Sequence, residues 1–441
     1  MNPRAEKVAR KLSDAGFTAY FAGGCVRDFL LGREAKDVDI ATNATPEDAQ
    51  KIFKRVTDLQ GKAFGVVRVM EGEETFEVAT FRKEGPYKDG RRPESVVFTT
   101  AEEDASRRDF TVNGLFYDPI KKKVIDYVGG EADLKKKILR AIGKAEDRFS
   151  EDYLRVLRAV RFAAELEFEI GKKTWDGVCK LAEKTKHLAI ERVRDELNKC
   201  FTGKNPQRAL DLLDASGLLK IWLPEVIEQK SVEQPPEFHP EGDVYTHVHL
   251  MMGYLSNAPM ELAWSVLLHD IGKPPTFKVD AKGRIRFNGH ETAGAHMAKK
   301  ILQRLRFSND QIEAVVACVA NHMTFKDVLS MRVSTLKRLL ARPTIDTELE
   351  LHKLDCIGSH ADLEIYNFLL QKREEFGAEQ IKPPPLVKGE DVLALGMQPG
   401  PKVGEILAVI EEEQLEGKLT SRGDALKRLE DLVSKTDIPK K

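Results

Sequence analysis

Cysteine is scarce, tryptophan scarcer, and long apolar runs are missing. The 441 residues hold five cysteines (Cys25, Cys179, Cys200, Cys318 and Cys356) with no C-x-x-C pair and no regular spacing, which excludes a zinc ribbon or a disulfide scaffold and implies reduced thiols. No stretch approaches the roughly 18 apolar residues that cross a bilayer. The opening MNPRAEKVARKL carries no apolar signal core, so the expectation is a cytoplasmic protein with no membrane partner. Net charge is absent too. With 70 Lys+Arg against 71 Asp+Glu the sum is -1, where nucleic-acid-binding domains are usually basic. There is no internal repeat, low-complexity tract or coiled-coil pattern.

What is present is an ordinary globular composition, 41% hydrophobic and 32% charged, in a chain long enough for about three domains with at least one large core. The near-zero charge also hides a gradient: residues 1–208 carry a surplus of five positive charges and 209–441 a surplus of six negative ones. Nine of the ten histidines lie between His239 and His360. Two halves with different chemistry are expected.

Over the first 120 residues short strand and helix patterns alternate: an amphipathic helix AEKVARKLSDAG, a strand TAYFA, a Gly-Gly turn, a helix CVRDFLLG, a strand KDVDIAT, and a hairpin GVVRVMEGEETFEVATF turning at EGEE. From about Ser150 to Leu223 apolar residues recur at helical spacing. Glu225 to Glu241, with PP and HP inside it, reads as a linker, the histidine-bearing helices run to about Asp362, and the triple proline of KPPPL near Lys382 marks another boundary.

The first candidate site lies in KDVDIAT. Asp37 and Asp39 are two apart, so in a strand both carboxylates leave one face and call for a cation such as Mg²⁺. Alone, such a pair is as well explained by solvated acids at a strand end. Upstream, Gly23 and Gly24 sit between strand and helix, where a main chain free of side chains can approach phosphates. Glu77 falls on the face opposite Phe76 and Val78, placed to act as a third carboxylate of a two-metal site.

The run GGCVRDFLLGREAKDVDIAT resembles the signature of the class II tRNA nucleotidyltransferase and bacterial poly(A) polymerase family, within the DNA polymerase β superfamily. The likeness continues in order through FEVATFR, RRDFTVNGLFYDP, DYVGGEADLKKKILRAIG, EDYLRVLRAVRFAAEL and ERVRDELNKC, over roughly the first half of the chain. The resemblance implies an α+β protein: a polymerase-β-like head over 1–145, an all-α neck over 146–225 that recognises the base, an HD-type helical domain over 226–380 and a helical tail over 381–441 in contact with tRNA. It assigns Asp37 and Asp39 to Mg²⁺, Glu77 to the third carboxylate, Gly23, Gly24 and Arg27 to the triphosphate, and Arg107, Arg108, Asp109 and Asn113 to the sugar and phosphates. Arginine forks suit phosphate oxygens. A surface ion pair is the plainer reading of Arg108 and Asp109.

In EDYLRVLR, the helical reading puts Glu151, Asp152, Arg155 and Arg158 on neighbouring turns and makes Asp152 and Arg155 an i,i+3 pair. Such pairs decorate many exposed helices. The resemblance places base recognition here: a carboxylate accepting from an exocyclic amino group and a guanidinium donating beside it select CTP and ATP over UTP and GTP. The polar segment 82–96, RKEGPYKDGRRPESV, resembles the flexible loop with which CCA-adding members switch from C to A.

The histidines form a second pattern. His247, the contiguous His269-Asp270 and the distant Asp355, all read as helical, resemble the HD phosphohydrolase ligand set, suited to Mn²⁺, Ni²⁺ or Mg²⁺. His290 and His322 match that superfamily's additional ligands, while His249, offset by two from His247, is expected to pack or lie at the surface. A second activity as a 2′,3′-cyclic phosphodiesterase or phosphatase follows from the likeness, as does a purely structural remnant.

The expected function is template-independent addition of C, C and A to tRNA 3′ ends from CTP and ATP, with no obligate protein partner and with basic stretches such as KKKVIDYVGGEADLKKK holding the RNA backbone. A poly(A) polymerase shares the head motifs; no strongly basic C-terminal extension is seen to favour it. Enzymes adding only CC or only A, and a protein that is chiefly an HD phosphohydrolase, are the other readings.

Overall fold

Strand formation in the head follows alternation. In ETFEVAT, Phe76 and Val78 are buried while Thr75 and Glu77 are exposed, so the strand hides one face and wets the other. The computed structural model describes residues 2–35, 37–57, 65–84, 96–237 and 239–435. Ten strands are described in the head: β1 (Ala19–Ala22), β2 (Asp39–Thr42), β3 (Val56–Thr57), β4 (Val66–Glu71), β5 (Glu74–Thr80), β6 (Arg82–Glu84), β7 (Val96–Phe98), β8 (Phe116–Asp118), β9 (Lys123–Ile125) and β10 (Ile138–Leu139), the last paired with Glu169–Ile170. Seven form one mixed sheet in the order β3-β4-β5-β2-β1-β8-β9. Its one parallel pair is β2 with β5; β6 and β7 make a separate antiparallel ribbon. Most of the segment expected to be the C-to-A loop, residues 85–95, lies outside the described residues.

The chain divides into two compact units, one of Met1–Ile227 with Leu255–Met260, the other of Glu228–Tyr254 with Glu261–Lys441. In the first, the head sheet is followed by helices. The Leu154–Leu166 helix is buried on nearly every side, and its buried Arg161 is answered by Glu196 at 2.6 Å, so the cation is not left unpaired. Close packing here depends on glycine at one point: a Cβ on Gly130 would lie 2.2 Å from the Thr111 carbonyl oxygen, so the Gly130–Lys136 helix can rest directly on the Thr111–Asn113 turn.

The second unit is helical apart from a small β-ribbon, Lys278–Val279 with Ile285–Arg286. Leu336, Leu339, Leu340, Leu349 and Leu369 build one core, and the tail helices Gly389–Ala394, Pro401–Leu415 and Arg422–Ser434 build another around Val392, Ile406, Ile410 and Leu429. The stretch 228–241 is not a linker. Gln229 and Gln234 are buried, and Gln234 accepts a 2.6 Å hydrogen bond from Lys273, so this proline-containing stretch is folded into the unit. Among the described residues, no helix is long and apolar enough to cross a membrane.

Candidate functional sites

The head site is set by register. β1 pairs with β2 so that Ala22 faces Asp39, and β5 lies parallel to β2 with Ile40 opposite Val78, which puts Glu77 beside Asp39 one step before that pair. Asp37 precedes β2 instead of lying in the strand as expected; it reaches the same cleft from coil. The cleft measures about 450 Å³ and is lined by Gly24, Asp28, Asp37, Asp39, Glu165 and Lys204, among others. The protein around Asp39 raises its pKa, and Glu77 and Asp37 add to the rise against the opposing pull of Arg108. Carboxylate oxygens gathered in this way fit a divalent cation. Glu77 is half exposed and is held across the hairpin by Arg68, its directly opposite residue, at 3.0 Å.

Beside this cleft, three separate motifs join. Arg27 is buried and donates to Asn113 Oδ1 at 2.7 Å; Asn113 Nδ2 donates to Asp109 Oδ1 at 3.1 Å; Arg158 donates to Asp109 Oδ2 at 2.7 and 2.9 Å. Asp109 is therefore not part of a surface ion pair: burial works to raise its pKa, but Arg158 and the hydrogen bonds from Asn113 and Phe110 hold it below the usual range. Arg108 and Arg107 are both held by the buried Asp104, at 3.1 and 2.8 Å. Gly23 has φ +74°, and a Cβ there would sit 2.8 Å from Arg108 Nη1, so the Gly-Gly turn is required both by its conformation and by the arginine behind it.

The base-reading motif departs from the continuous helix expected. One helix, Ala145–Glu151, ends at Glu151; Asp152 is extended at φ -145°, ψ 106°; a second helix begins at Leu154. Asp152 and Arg155 are therefore not an i,i+3 pair. Arg155 bonds Glu151 at 2.6 Å, whereas Asp152 accepts two hydrogen bonds from Arg192, at 2.6 and 3.1 Å. Tertiary pairing with a residue 40 positions away has replaced the local one. Sequence reasoning missed Arg192, Asp104 and the cleft residues Glu165 and Lys204.

In the second unit, the histidine site is dense and buried. Among the described residues, three groups bring ligand atoms within 4.8 Å of one another: His247, His269 and Asp355; Asp270, His290 and His322; and His239, Glu241 and His247. His269 and Asp270 lie just past the end of the Met260–Leu268 helix, not within it as expected. His269, His290 and His322 each turn Nδ1 to the carbonyl three residues earlier, on Val266, Phe287 and Val319, at 2.9, 2.8 and 2.7 Å. A carbonyl only accepts, so Nδ1 carries a proton in each ring and Nε2 is the atom left to face the cluster. The Nε2 atoms of His290 and His322 are 3.1 Å apart and lie 3.5 and 3.7 Å from Asp270 Oδ1.

Four buried imidazoles converging with two carboxylates are what a divalent transition metal requires. Asp270 is held well below the usual range by His269 and Lys273 despite its burial, and burial pushes His322 down to about 4. His249 stacks on Tyr245 away from the cluster. His239 and Glu241, inside the presumed linker, went unnoticed; no periodicity marks them.

Three family models match in chain order: the poly A polymerase head domain over residues 19–140, the probable RNA and SrmB-binding site of polymerase A over 167–230, and the HD domain over 244–357. The CCA-adding enzyme of Lactococcus lactis subsp. lactis is 31% identical over 435 residues, covering 96% of this chain and 95% of that protein. That of Levilactobacillus brevis is 31% identical, covering 96% of each. Over 216 residues, about half of each chain, identity to the Lactobacillus delbrueckii subsp. bulgaricus CCA-adding enzyme is 44%. Of solved structures, the Bacillus stearothermophilus CCA-adding enzyme in complex with CTP aligns with TM-score 0.71 and 26% identity, covering 97% of this chain and 98% of that one. The Thermotoga maritima CCA-adding enzyme complexed with tRNA shares the fold, with TM-score 0.59, 19% identity and coverage of 97% and 95%.

Proposed function

The chain belongs to the CCA-adding enzyme family, and from that premise we propose that it adds C, C and A to tRNA 3′ ends from CTP and ATP without a template, releasing pyrophosphate. The observation that carries the reading is the placement of Asp39 beside Glu77, with Asp37 in the same cleft. Mg²⁺ bound there supplies charge neutralisation to the attacking and leaving oxygens of in-line transfer. The rest is done by the chain. The Gly23-Gly24 turn gives the triphosphate main-chain access; Arg107 and Arg108, aimed by Asp104, pair with its oxygens, with Arg27 behind them. Asp109 and Asn113 meet the sugar. Arg158, locked to Asp109, joins this group to the segment carrying Glu151, Asp152 and Arg155, where Asp152 accepts from the amino group of cytosine or adenine and Arg155 donates beside it.

The proposed division is head 1–145, neck 146–225, HD domain 226–380 and tail 381–441, with tRNA held along the neck and tail. The cytoplasm is the proposed location and no obligate protein partner is invoked. In the HD domain, His247, His269, Asp270 and Asp355, with His290 and His322, would hold Mn²⁺, Ni²⁺ or Mg²⁺ and support hydrolysis of 2′,3′-cyclic phosphates or phosphomonoesters. The convergent Nε2 atoms, each ring held at Nδ1, favour this second activity over a structural remnant.

The test is incubation with tRNAs ending before CCA, after C and after CC, with CTP and ATP singly and together. Stepwise completion of CCA is expected. Addition of only C, of only A, or of long A tails would replace the reading with a CC-adding enzyme, an A-adding enzyme or a poly(A) polymerase. Hydrolysis of 2′,3′-cyclic CMP that disappears in His269→Ala, with transfer intact, tests the second site.

A further inference from the structure

We infer that Glu241 is a positioning residue for the histidine cluster, fixing the metal-facing nitrogen of His247; the inference rests on the metal-binding reading of that cluster. Three of the four imidazoles take their orientation from main-chain carbonyls, and each of the three sits at a helix end: His269 after a helix end, His290 at a helix start, His322 at a helix C-cap. His247 is different. It lies inside the Val244–Gly253 helix, whose carbonyls are engaged in the i to i-4 ladder, so its Nδ1 needs an acceptor from elsewhere. Glu241 supplies it: Oε1 lies 2.6 Å from His247 Nδ1.

A carboxylate only accepts, so Nδ1 carries a proton, which leaves Nε2 as the atom facing Asp355 Oδ1, at 3.0 Å, and the shared ligand point with His269, where a bound metal would replace a proton. The same Oε1 lies 2.9 Å from His239 Nδ1, so one oxygen holds two rings whose centroids are 5.0 Å apart. Glu241's side chain is only 7% exposed, and its other oxygen is buried without a hydrogen-bond partner. Burying a half-bonded carboxylate is costly and contributes nothing to packing that an apolar side chain would not.

The segment that carries Glu241 reaches the cluster at a second point, through Gln234, Lys273 and Asp270, each link 2.6 Å long. Residues 228–243 thus orient ligands of both ligand groups.

The experiment is Mn²⁺ titration of the full chain, with free Mn²⁺ read by electron paramagnetic resonance, for the native protein, Glu241→Gln, Glu241→Ala and His269→Ala. Glu241→Gln is expected to weaken Mn²⁺ binding about 10–100-fold and Glu241→Ala at least as much, the usual effect of removing a partner of a ligating histidine. The metal-free melting temperature of Glu241→Gln and its CTP transfer to tRNA should match the native protein; the near-isosteric amide keeps the variant folded. Native-like Mn²⁺ affinity in Glu241→Gln, with binding lost in His269→Ala, overturns the inference and leaves the metal site standing. Native-like affinity in His269→Ala overturns the metal reading itself, and the inference with it.

Discussion

The two candidate sites solve the problem of concentrated charge in opposite ways. In the head, Asp37 and Asp39 line an open cleft with Glu77 beside Asp39 in the sheet, and partial burial together with the neighbouring Glu77 and Asp37 raises the pKa of Asp39. In the second unit, His247, His269, Asp270, His290 and His322 are all at least nine-tenths buried, and each imidazole is oriented by a hydrogen bond at Nδ1. The first arrangement suits a metal that arrives with a substrate and leaves with a product. The second suits a metal that stays.

The strongest way to break this comparison is at Asp39. Asp39→Ala should lower CTP incorporation into tRNA by about a thousand-fold, the scale of losing several kcal/mol of charge stabilisation, and leave Mn²⁺ binding at the histidine cluster unchanged. His269→Ala should do the reverse, costing about a hundred-fold in Mn²⁺ affinity while transfer stays within about twofold. Loss of transfer in His269→Ala would show that the two sites are not independent.

Next in size is Asp109→Ala, which strips Arg158 of its buried partner and should cost about 3–5 kcal/mol by urea denaturation. Because the folded pKa of Asp109 is lowered, its contribution is complete above the unfolded value of about 3.9 and is lost as pH falls from there through the folded value. The gap between native and Asp109→Ala should therefore narrow as pH falls below about 4.

Gly23→Ala, placing a methyl at positive φ against Arg108, should cost about 1–2 kcal/mol and raise KM for CTP. Smallest of all is Arg68→Ala. Its half-exposed pair with Glu77 is worth about 0.5 kcal/mol, so thermal melting should barely move.

How much of this was readable beforehand differs by site. The exposed side of Glu77 was legible because β5 alternates strictly, and register sets it beside Asp39; Asp37, expected in the same strand, reaches the cleft from coil, where alternation has no say. The break after Glu151 was not, since EDYLRVLR holds no proline or glycine and its apolar spacing runs straight through; only Arg192, brought in by folding, draws Asp152 out of line. The ordered histidines were visible as a pattern, but Glu241 and His239 sit in a polar, proline-containing stretch. What places that stretch is the burial of Gln229 and Gln234, two residues whose type predicts exposure.

The bond between Asp152 and Arg192 has a further consequence. In the proposed reading an incoming base meets a carboxylate that already accepts three N–H bonds, two from Arg192 and one from the Leu154 main chain, so binding is a competition with an internal ligand. A base that brings an amino group can displace or share that guanidinium, and one that brings a carbonyl has nothing to offer in exchange. The free chain thereby sets a threshold for entry, and discrimination begins from an occupied seat.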